Sequence, residues 1–292
     1  MAIFLQQLIT GLSIGGIYSL LAVGYALIYS IFDFTNFAFG SMMMIGAFAC
    51  LFAISVLNVP IWLVIIICIV VTAILSVCVD TITYKPMRKK GSTKLTLMIA
   101  AMGVNIFIVN LMTLLLGGNI RQINYKFPIK TITIGSVNIG FIDILCLCSA
   151  LIILLLLWWF LDRTIHGIAI RASAFDMRTA GLMGVNTNRI AIIVFVISGI
   201  CAGITGFLYG FKYAVYPAMG DISTKAFVAS VIGGLGSLPG AVVGGLLLGI
   251  LETMISGYVS SSLRDLFSYS TLIIILLFLP NGLFGKDNKE KS

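Results

Sequence analysis

The first 32 residues of this 292-residue chain contain no charged side chain, and the segment from Phe34 to Val79 contains none either. Further uncharged runs cover residues 95–120, 144–161, 190–211, 226–251 and 266–285. A helix needs about 20 mostly apolar residues to cross a bilayer, and these runs reach or approach that length. A soluble domain cannot present such a surface to water, so the sequence predicts an all-α protein that crosses the membrane several times.

The run from Phe34 to Val79 is too long for a single crossing. It holds 46 residues, whereas a helix rises about 1.5 Å per residue and the hydrocarbon layer is about 30 Å thick. Proline interrupts a helix and restricts the residue before it, so we expect a turn at Asn58–Pro60. The runs together predict a polytopic helical bundle of about eight spans plus broken or re-entrant segments. We expect them to form a single transmembrane domain over residues 1–285, followed by a short tail over residues 286–292.

Basic residues cluster in Lys85–Lys94, in Arg163–Arg189 and in the tail, with fewer in Arg121–Lys130. Cytoplasmic loops of membrane proteins are enriched in Lys and Arg. We therefore expect the three richer segments in the cytoplasm and Arg121–Lys130 on the outside. Three runs precede Lys85, which places the N-terminus outside. Membrane topology accounts for the net charge of +8, and a nucleic-acid partner is not expected.

Glycine and proline interrupt the uncharged run that follows Lys225. Three apolar runs follow Arg189, but a cytoplasmic tail requires an even number of crossings between Arg189 and the tail. One of the three runs therefore has to be doubled or re-entrant, and this one is the candidate. The glycines that surround Pro239 are Gly233, Gly234, Gly236, Gly240, Gly244, Gly245 and Gly249. We predict a half-helix, a break near Gly236–Gly240 and then a full span. Small residues at four-residue spacing also fit close helix packing, but irregular backbone in a membrane needs protein or a water-filled cavity around it, which favours a transport path.

A second interruption lies between the first span and the methionine-rich segment Met42–Met44. It contains Asn36 and Gly40. Asn36 can cap a helix and Gly40 permits a turn, so a connecting turn is one interpretation. The other is an unwound segment whose amide and backbone groups line a path. The residues alone leave both interpretations open.

The longest polar stretch, residues 162–189, has an amphipathic pattern. Apolar residues alternate there with charged ones such as Arg171 and Asp176. The pattern predicts a short helix outside the bilayer, capped by Gly184 and followed by a turn at Asn186. This helix would rest on lipid headgroups or dock on a soluble partner, and its mixed charges favour the partner.

Residues typical of catalysis or metal binding form no recognisable pattern. The single histidine, His166, lies in the polar stretch, and no Ser-His-Asp or metal arrangement can be built around it. The six cysteines lie in predicted spans without zinc-site spacing, which is typical of packing. The chain also lacks a Gly-x-x-x-x-Gly-Lys-Ser/Thr loop for nucleotide phosphates. We expect neither an enzyme nor a bound cofactor.

An ion-coupled transporter would need carboxylates within its spans. The candidates are few and most lie near predicted span ends; they are Asp33, Asp80, Asp143 and Glu252. A purely structural scaffold would not need two broken helices. The residues therefore favour neither of these two classes.

Several short motifs extend along nearly the whole chain in a combination that is specific to one family. They are Gly11–Leu20, Asn36–Gly40, Ile170–Ala172, Ala180–Asn186, Lys225–Ala229, Gly233–Ala241, Gly244–Gly245 and Pro280–Gly285. By these motifs the chain resembles the permease subunits of bacterial ABC importers for branched-chain amino acids. It is similar to the first permease of the pair, since the sister subunit usually carries additional N-terminal sequence.

This resemblance implies a multi-pass protein of the bacterial cytoplasmic membrane that works by alternating access. Its partners would be a sister permease, two ATPase subunits, an extracytoplasmic substrate-binding protein and membrane lipid. The ATPase subunits would hydrolyse ATP and dock on the loop over residues 162–189. The residues expected at that contact are Arg171, Ala172, Asp176, Met177, Ala180, Met183, Gly184 and Asn186.

The resemblance and the two breaks together suggest a substrate path. The residues expected along it are Asn36, Phe37, Phe39, Gly40, Gly233, Gly234, Gly236, Pro239 and Gly240. We expect the two broken segments to approach each other near mid-membrane.

One departure from the family concerns the substrate. The family commonly reads Asn-Phe-Ala-His-Gly followed by an acidic residue, whereas this chain has Phe39 and Ser41 at the two polar positions. An apolar wall at Phe39 fits a leucine-like side chain. Related permeases carry urea or short amides, so an importer of such amides is the alternative, and an ion-coupled secondary transporter is a more remote one.

Overall fold

The structure, a computed structural model, describes residues 2–125, 131–134 and 137–285. The predicted tail, Lys126 and Lys130 lie outside the described residues. The described part of the chain forms twelve α-helices: α1 (Ala2–Phe32), α2 (Phe39–Ser55), α3 (Ile61–Val79), α4 (Lys85–Lys89), α5 (Lys94–Leu116), α6 (Phe141–Arg163), α7 (Ile165–Phe175), α8 (Met177–Leu182), α9 (Thr187–Lys212), α10 (Ile222–Gly233), α11 (Leu238–Tyr258) and α12 (Arg264–Phe278).

Short irregular elements complete this order. A π-helical turn over Asp80–Tyr84 joins α3 to α4, and 3-10 turns cover Pro217–Asp221 and Ser261–Leu263. Two strands, β1 (Thr131–Ile134) and β2 (Val137–Gly140), pair antiparallel before α6. This hairpin was not predicted, although the alternation of polar and apolar residues in the sequence is typical of strands.

Seven helical segments within the described residues are long and apolar enough to cross a membrane. They are Ile3–Phe32, Ile61–Lys89, Lys94–Leu116, Phe141–Arg163, Thr187–Lys212, Leu238–Tyr258 and Ser261–Phe278. The 17-residue helix α2 is a shorter apolar helix. Together they confirm the predicted membrane bundle of about eight spans, with α10 as an additional half-length helix of 12 residues.

Local sequence explains where several spans begin. Pro60 has extended backbone and directly precedes α3, and Asn58 adopts a left-handed φ of 48°, which confirms the predicted turn. Thr93 caps α5 by accepting a hydrogen bond from the backbone N–H of Thr96. Ser237 caps α11 in the same way, from the N–H of Gly240 at 3.3 Å. Such caps satisfy backbone donors that a helix start leaves open.

The chain divides into two compact units. Among the described residues, one comprises residues 2–26, 131–134, 137–154 and 224–285, and the other comprises residues 27–125 and 155–223. In the first unit, α1 lies against α11 with backbone close to backbone, since an added Cβ on Gly15 would lie 2.9 Å from the Cα of Leu246. In the second unit, α9 packs on both α2 and α3. Glycines permit this approach as well, because an added Cβ on Gly199 would lie 2.7 Å from the Cα of Ala73.

Candidate functional site

The predicted interruption after the first span is present, because α1 ends at Phe32 and α2 begins at Phe39. Asp33 turns the chain with a φ of 55°. Asn36 is 1% exposed, and its Oδ1 accepts hydrogen bonds from the N–H of Ala38 at 3.1 Å and from the hydroxyl of Tyr84 at 2.6 Å. Asn36 therefore closes a side-chain turn before α2. It is not the helix cap that the sequence suggested, since the capping position is Ala38.

Gly40 lies in the first turn of α2, not in a connecting turn. Its φ is not in the left-handed region, so its conformation does not require glycine. An added Cβ would instead overlap the carbonyl oxygen of Gly220 and the hydroxyl of Ser223. The sequence suggested that Gly40 permits a turn. The structure shows instead that two backbone segments lie too close together at Gly40 to leave room for a side chain.

The aromatic residues next to Asn36 differ in exposure. Phe39, which stands where the family commonly has histidine, is fully buried, and Phe37 is partly exposed. The hydroxyl of Ser41 donates to the carbonyl of Ala38 at 2.8 Å. Both residues that depart from the family pattern therefore lie in the packed start of α2.

Tyr84 forms an aromatic cluster around this interruption. Its ring stacks on Phe195 with centroids 5.7 Å apart and meets the edge of Phe34 at 5.2 Å. The side chain of Tyr84 is fully buried. The ring is therefore held from two sides while the hydroxyl reaches Asn36.

A buried ion pair flanks Tyr84 on the same helical segment. Nη1 of Arg88 lies 2.7 Å from Oδ1 of Asp80, whose side chain is 1% exposed. The guanidinium carbon of Arg88 also lies 4.3 Å from the ring centroid of Phe32, which is a cation–π distance. The pair fastens the end of α1 to the π-helical turn. Asp80 is one of the candidate ion-coupling carboxylates of the sequence analysis, but here it is paired with a cation.

The second predicted break is also present. Helix α10 ends at Gly233 and α11 begins at Leu238, so a half-length helix precedes a span-length helix as predicted. The break covers residues 234–237, however, and the predicted break residues Pro239 and Gly240 already belong to α11. Gly234 and Gly236 have φ values of 108° and 82°, which L-residues rarely adopt. Pro239 occupies the first turn of α11, where its missing N–H costs no helical hydrogen bond.

The C-terminal motif satisfies the backbone groups that this break leaves open. The N–H of Leu283 donates to the carbonyl of Ile232, and that of Phe284 donates to the carbonyl of Gly233, both at 2.9 Å. An added Cβ on Gly234 would lie 2.6 Å from the backbone nitrogen of Gly285. Protein backbone thus surrounds Gly233 and Gly234, which is one of the two environments that irregular backbone in a membrane requires. The two breaks lie in different units, and their approach to each other stays a prediction.

A buried charge cluster in the first unit centres on Glu252 of α11, which is 1% exposed. Its carboxylate accepts hydrogen bonds from the hydroxyls of Tyr18 at 2.7 Å and Ser268 at 2.8 Å. Nζ of Lys225 lies 2.9 Å from Glu252 and 2.6 Å from Asp265. The carboxylate is therefore matched by a cation and by two donors, as a buried charge requires.

The polar loop forms two helices, α7 and α8, where one was predicted. The reason is Asp176, whose backbone is extended and whose Oδ1 accepts hydrogen bonds from the N–H groups of Arg178 at 2.8 Å and Thr179 at 3.1 Å. An aspartate in this role starts a new helix. The periodic apolar pattern continued across Asp176 and concealed the break.

The exposed face of this loop differs from the predicted one. Ala180 is buried at 6% exposure, because it faces the protein, and Met177 is partly buried. Met183 is 81% exposed and is joined by Phe175 at 79% and Leu182 at 84%, which the sequence analysis did not select. These three residues are what we call the apolar docking face.

The polar residues of the loop shape it locally. Nη1 of Arg171 lies 2.5 Å from Oδ1 of Asp162, which ties α7 to the end of α6, and Ala172 next to it is exposed. Gly184 has a φ of 90° and its N–H donates to the carbonyl of Gly181, which confirms the predicted helix end. Asn186 caps α9 by accepting from the N–H of Arg189 at 3.2 Å, so its role is a cap at the predicted turn.

A family model described as "Branched-chain amino acid transport system / permease component" matches residues 7–276. The chain belongs to this family. The permease is 33% identical to the high-affinity branched-chain amino acid transport system permease protein BraD of Pseudomonas aeruginosa, over 99% of this chain and 98% of the relative. It is 34% identical to the permease protein LivH of Escherichia coli K12, over 99% and 97%. A probable LivH of Methanocaldococcus jannaschii is 31% identical over 93% and 89%.

A solved structure supports the fold of the permease. The structure of PsaBC from Streptococcus pneumoniae in complex with Fab matches it with a TM-score of 0.52 at 16% identity, covering 97% of this chain and 94% of that chain. Family and fold together make the protein an ABC importer permease that crosses the cytoplasmic membrane several times.

Sequence reasoning selected some of the residues that the structure brings together in the permease and missed others. It selected Asn36 but missed Tyr84, and it noted Glu252 but not its partner Lys225. One signal in the sequence could have pointed to these ion pairs, namely a charged residue at the edge of an apolar run. Lys225 directly precedes the run that begins at residue 226, and Arg88 follows Asp80 shortly after a run ends. Which cation meets which carboxylate is decided by the packing of helices that are distant in sequence.

Proposed function

We propose that this permease translocates branched-chain or similarly apolar amino acids into the cell, driven by ATP hydrolysis on separate subunits. The observation that carries the proposal is the full-length similarity, at 33–34% identity, to permeases named for high-affinity branched-chain amino acid transport. Similarity along the entire chain includes both broken helices and the polar loop. A shared fold alone would not support a substrate.

The substrate path is proposed to follow the two broken segments. At the first, the buried side chain of Asn36 is hydrogen-bonded to Tyr84, whose ring packs on Phe34 and Phe195. A polar group among apolar ones is typical of small-molecule sites. At the second, the half-length helix α10 and the glycines after it form an irregular element. Broken helices are common at the binding sites of transporters. The helices would alternate between inward-open and outward-open arrangements.

The apolar docking face (Phe175, Leu182 and Met183) is proposed to receive an ATPase subunit. Large apolar side chains at 79–84% exposure on a polar loop are costly to leave in water and are typical of interaction sites. Arg171 lies on α7, the helix that ends at Phe175, and is paired there with Asp162. The remaining partners, a sister permease and an extracytoplasmic binding protein, follow from the family resemblance.

The decisive experiment is uptake of labelled leucine in a strain that lacks this gene, with and without the gene restored. Restored uptake that unlabelled isoleucine and valine compete for, and that stops when ATP is depleted, is the expected result. Urea and a short amide serve as competitors in parallel, since an importer of amides is the alternative. Competition by urea without any leucine uptake would replace the proposed substrate. Leucine uptake that persists without ATP but collapses with the proton gradient would point to ion coupling.

A further inference from the structure

The orientation of the Asn36 side chain is fixed by its hydrogen bonds. The N–H of Ala38 and the hydroxyl of Tyr84 both approach the same atom, at 3.1 Å and 2.6 Å. A backbone N–H can only donate. The Asn36 side-chain atom that faces the N–H of Ala38 therefore has to be the amide oxygen and not the amide nitrogen. The oxygen of Asn36 is therefore fully occupied and the nitrogen points elsewhere.

The amide nitrogen of Asn36 carries two N–H donors that meet no acceptor among the described residues. Its Nδ2 atom is buried there and has no hydrogen-bond partner. Leaving a buried donor unpaired costs free energy, and such a group in a folded protein calls for an explanation. The turn does not supply one, because the neutral hydroxyl of a serine would accept the same bond from Ala38 without carrying an extra amide. What asparagine adds at this position is the unpaired NH₂ group.

We propose that the Nδ2 group of Asn36 hydrogen-bonds the carboxylate of the transported amino acid, and that Tyr84 is the positioning residue that aims it. This inference rests on the proposed function. A carboxylate is the acceptor that such a donor binds most strongly, since hydrogen bonds to an ionised group are shorter and stronger than neutral ones. Because the amide is neutral, it also leaves no buried charge behind when the substrate moves on.

The proposal explains how the substrate could favour one conformation of the permease. A ligand shifts a conformational equilibrium only through a difference in its interactions with the two states. Without substrate, the Asn36 donors are buried and meet no acceptor in the described part of the chain, so this arrangement is disfavoured. A carboxylate that accepts from Nδ2 removes that penalty and stabilises the arrangement in which the amide faces the substrate.

Tyr84 is suited to a positioning role because its own position is fixed. Its ring is held between Phe195 and Phe34, and its hydroxyl donates to the oxygen of Asn36. Removing the hydroxyl leaves the ring contacts in place but removes one of the two bonds that orient the amide. The amide would then rotate more freely, and the substrate would have to fix it again on binding.

The first test is Asn36→Asp, with Asn58→Asp in the exposed turn before α3 as the matched control. Aspartate retains the acceptor for Ala38 and Tyr84 but replaces the donor group by a buried negative charge, which would repel a carboxylate. We expect leucine uptake, normalised to the amount of assembled importer, to fall by about tenfold or more. Asn36→Ser, which keeps the turn without an amide, is expected to lower uptake similarly and is decisive if the Asp variant does not assemble. Wild-type uptake in either assembled variant would overturn the proposal.

The second test is Tyr84→Phe, with Tyr258→Phe as the control, because Tyr258 is 58% exposed. We expect a severalfold higher apparent KM for leucine uptake with little change in the maximal rate. A purely structural role would lower the amount of assembled complex and leave KM unchanged, which would remove Tyr84 from the proposal. Failure of the proposed function is distinguishable, because in that case the wild-type importer itself would not take up leucine.

Discussion

Nζ of Lys225 lies 2.9 Å from Oε1 of Glu252, and both side chains are buried in the first unit. Lys225 belongs to the half-length helix α10, whereas Glu252 belongs to the span-length helix α11. Removing one partner of a buried ion pair leaves an uncompensated charge, which is more costly than replacing both partners by uncharged residues. The pair therefore fastens the half-length helix to the span beside it.

We expect the loss of one partner of the Lys225–Glu252 pair to lower the free energy of unfolding more than the loss of both. Lys225→Met and Glu252→Gln should each destabilise the permease by about 3–5 kcal/mol, and the double variant should recover part of that loss. Thermal unfolding of the purified permease in detergent measures the effect. Asp265→Asn is the control, because Asp265 is 61% exposed and its loss should cost less. A double variant less stable than either single one would contradict this account.

The close approach at Gly40 is expected to make any side chain there harmful. In Gly40→Ala, the new Cβ would overlap the carbonyl of Gly220, so the backbone has to shift, at a cost on the order of 1–3 kcal/mol. Gly103→Ala on α5 is the matched control, since nothing lies within 4 Å of its added Cβ. The amount of permease in the membrane and its unfolding temperature measure both. Equal amounts and equal unfolding temperatures for the two variants would contradict this prediction, because they would show that α2 can move away from Gly220 at little cost.

The apolar docking face is expected to determine how tightly the ATPase subunits bind. Leu182→Ala and Met183→Ala remove exposed apolar area that docking would bury, worth about 1.5–3 kcal/mol for a whole side chain. Copurification of ATPase subunits with the permease, and ATP-driven uptake, should both fall. Leu114→Ala on α5 is the control, because Leu114 is also 81% exposed. Substitutions at Gly184 are less informative, since its φ of 90° strains any side chain. Undiminished copurification would exclude this face.

The membrane orientation is expected to follow the distribution of basic residues. A cysteine at Asn124 should react with an impermeant thiol reagent from outside the cell, whereas a cysteine at Lys90 should not. Both positions are exposed. The exposed native cysteines, Cys78 and Cys148, have to be replaced first. Reaction at Lys90 and protection at Asn124 would invert the orientation and place the docking face outside.

The sequence by itself determined the membrane class, the approximate span boundaries and both broken helices. Long uncharged runs leave no alternative to the bilayer, and Pro60 and Pro239 restrict the backbone locally. Gly234 and Gly236 were likewise readable as a break, since their left-handed conformation favours glycine. These signals are local, so they need no knowledge of what lies across the fold.

Only the tertiary structure decided which side chains meet. The bond from Tyr84 to Asn36 joins residues 48 positions apart, and that from Tyr18 to Glu252 joins residues 234 positions apart. Gly40 illustrates the same limit, because the sequence suggested a turn while the structure shows a close approach to Gly220. Helix packing sets these contacts, and apolar periodicity says which residues are buried without saying against what. That the amide nitrogen of Asn36 meets no acceptor among the described residues became visible only once its neighbours were in place.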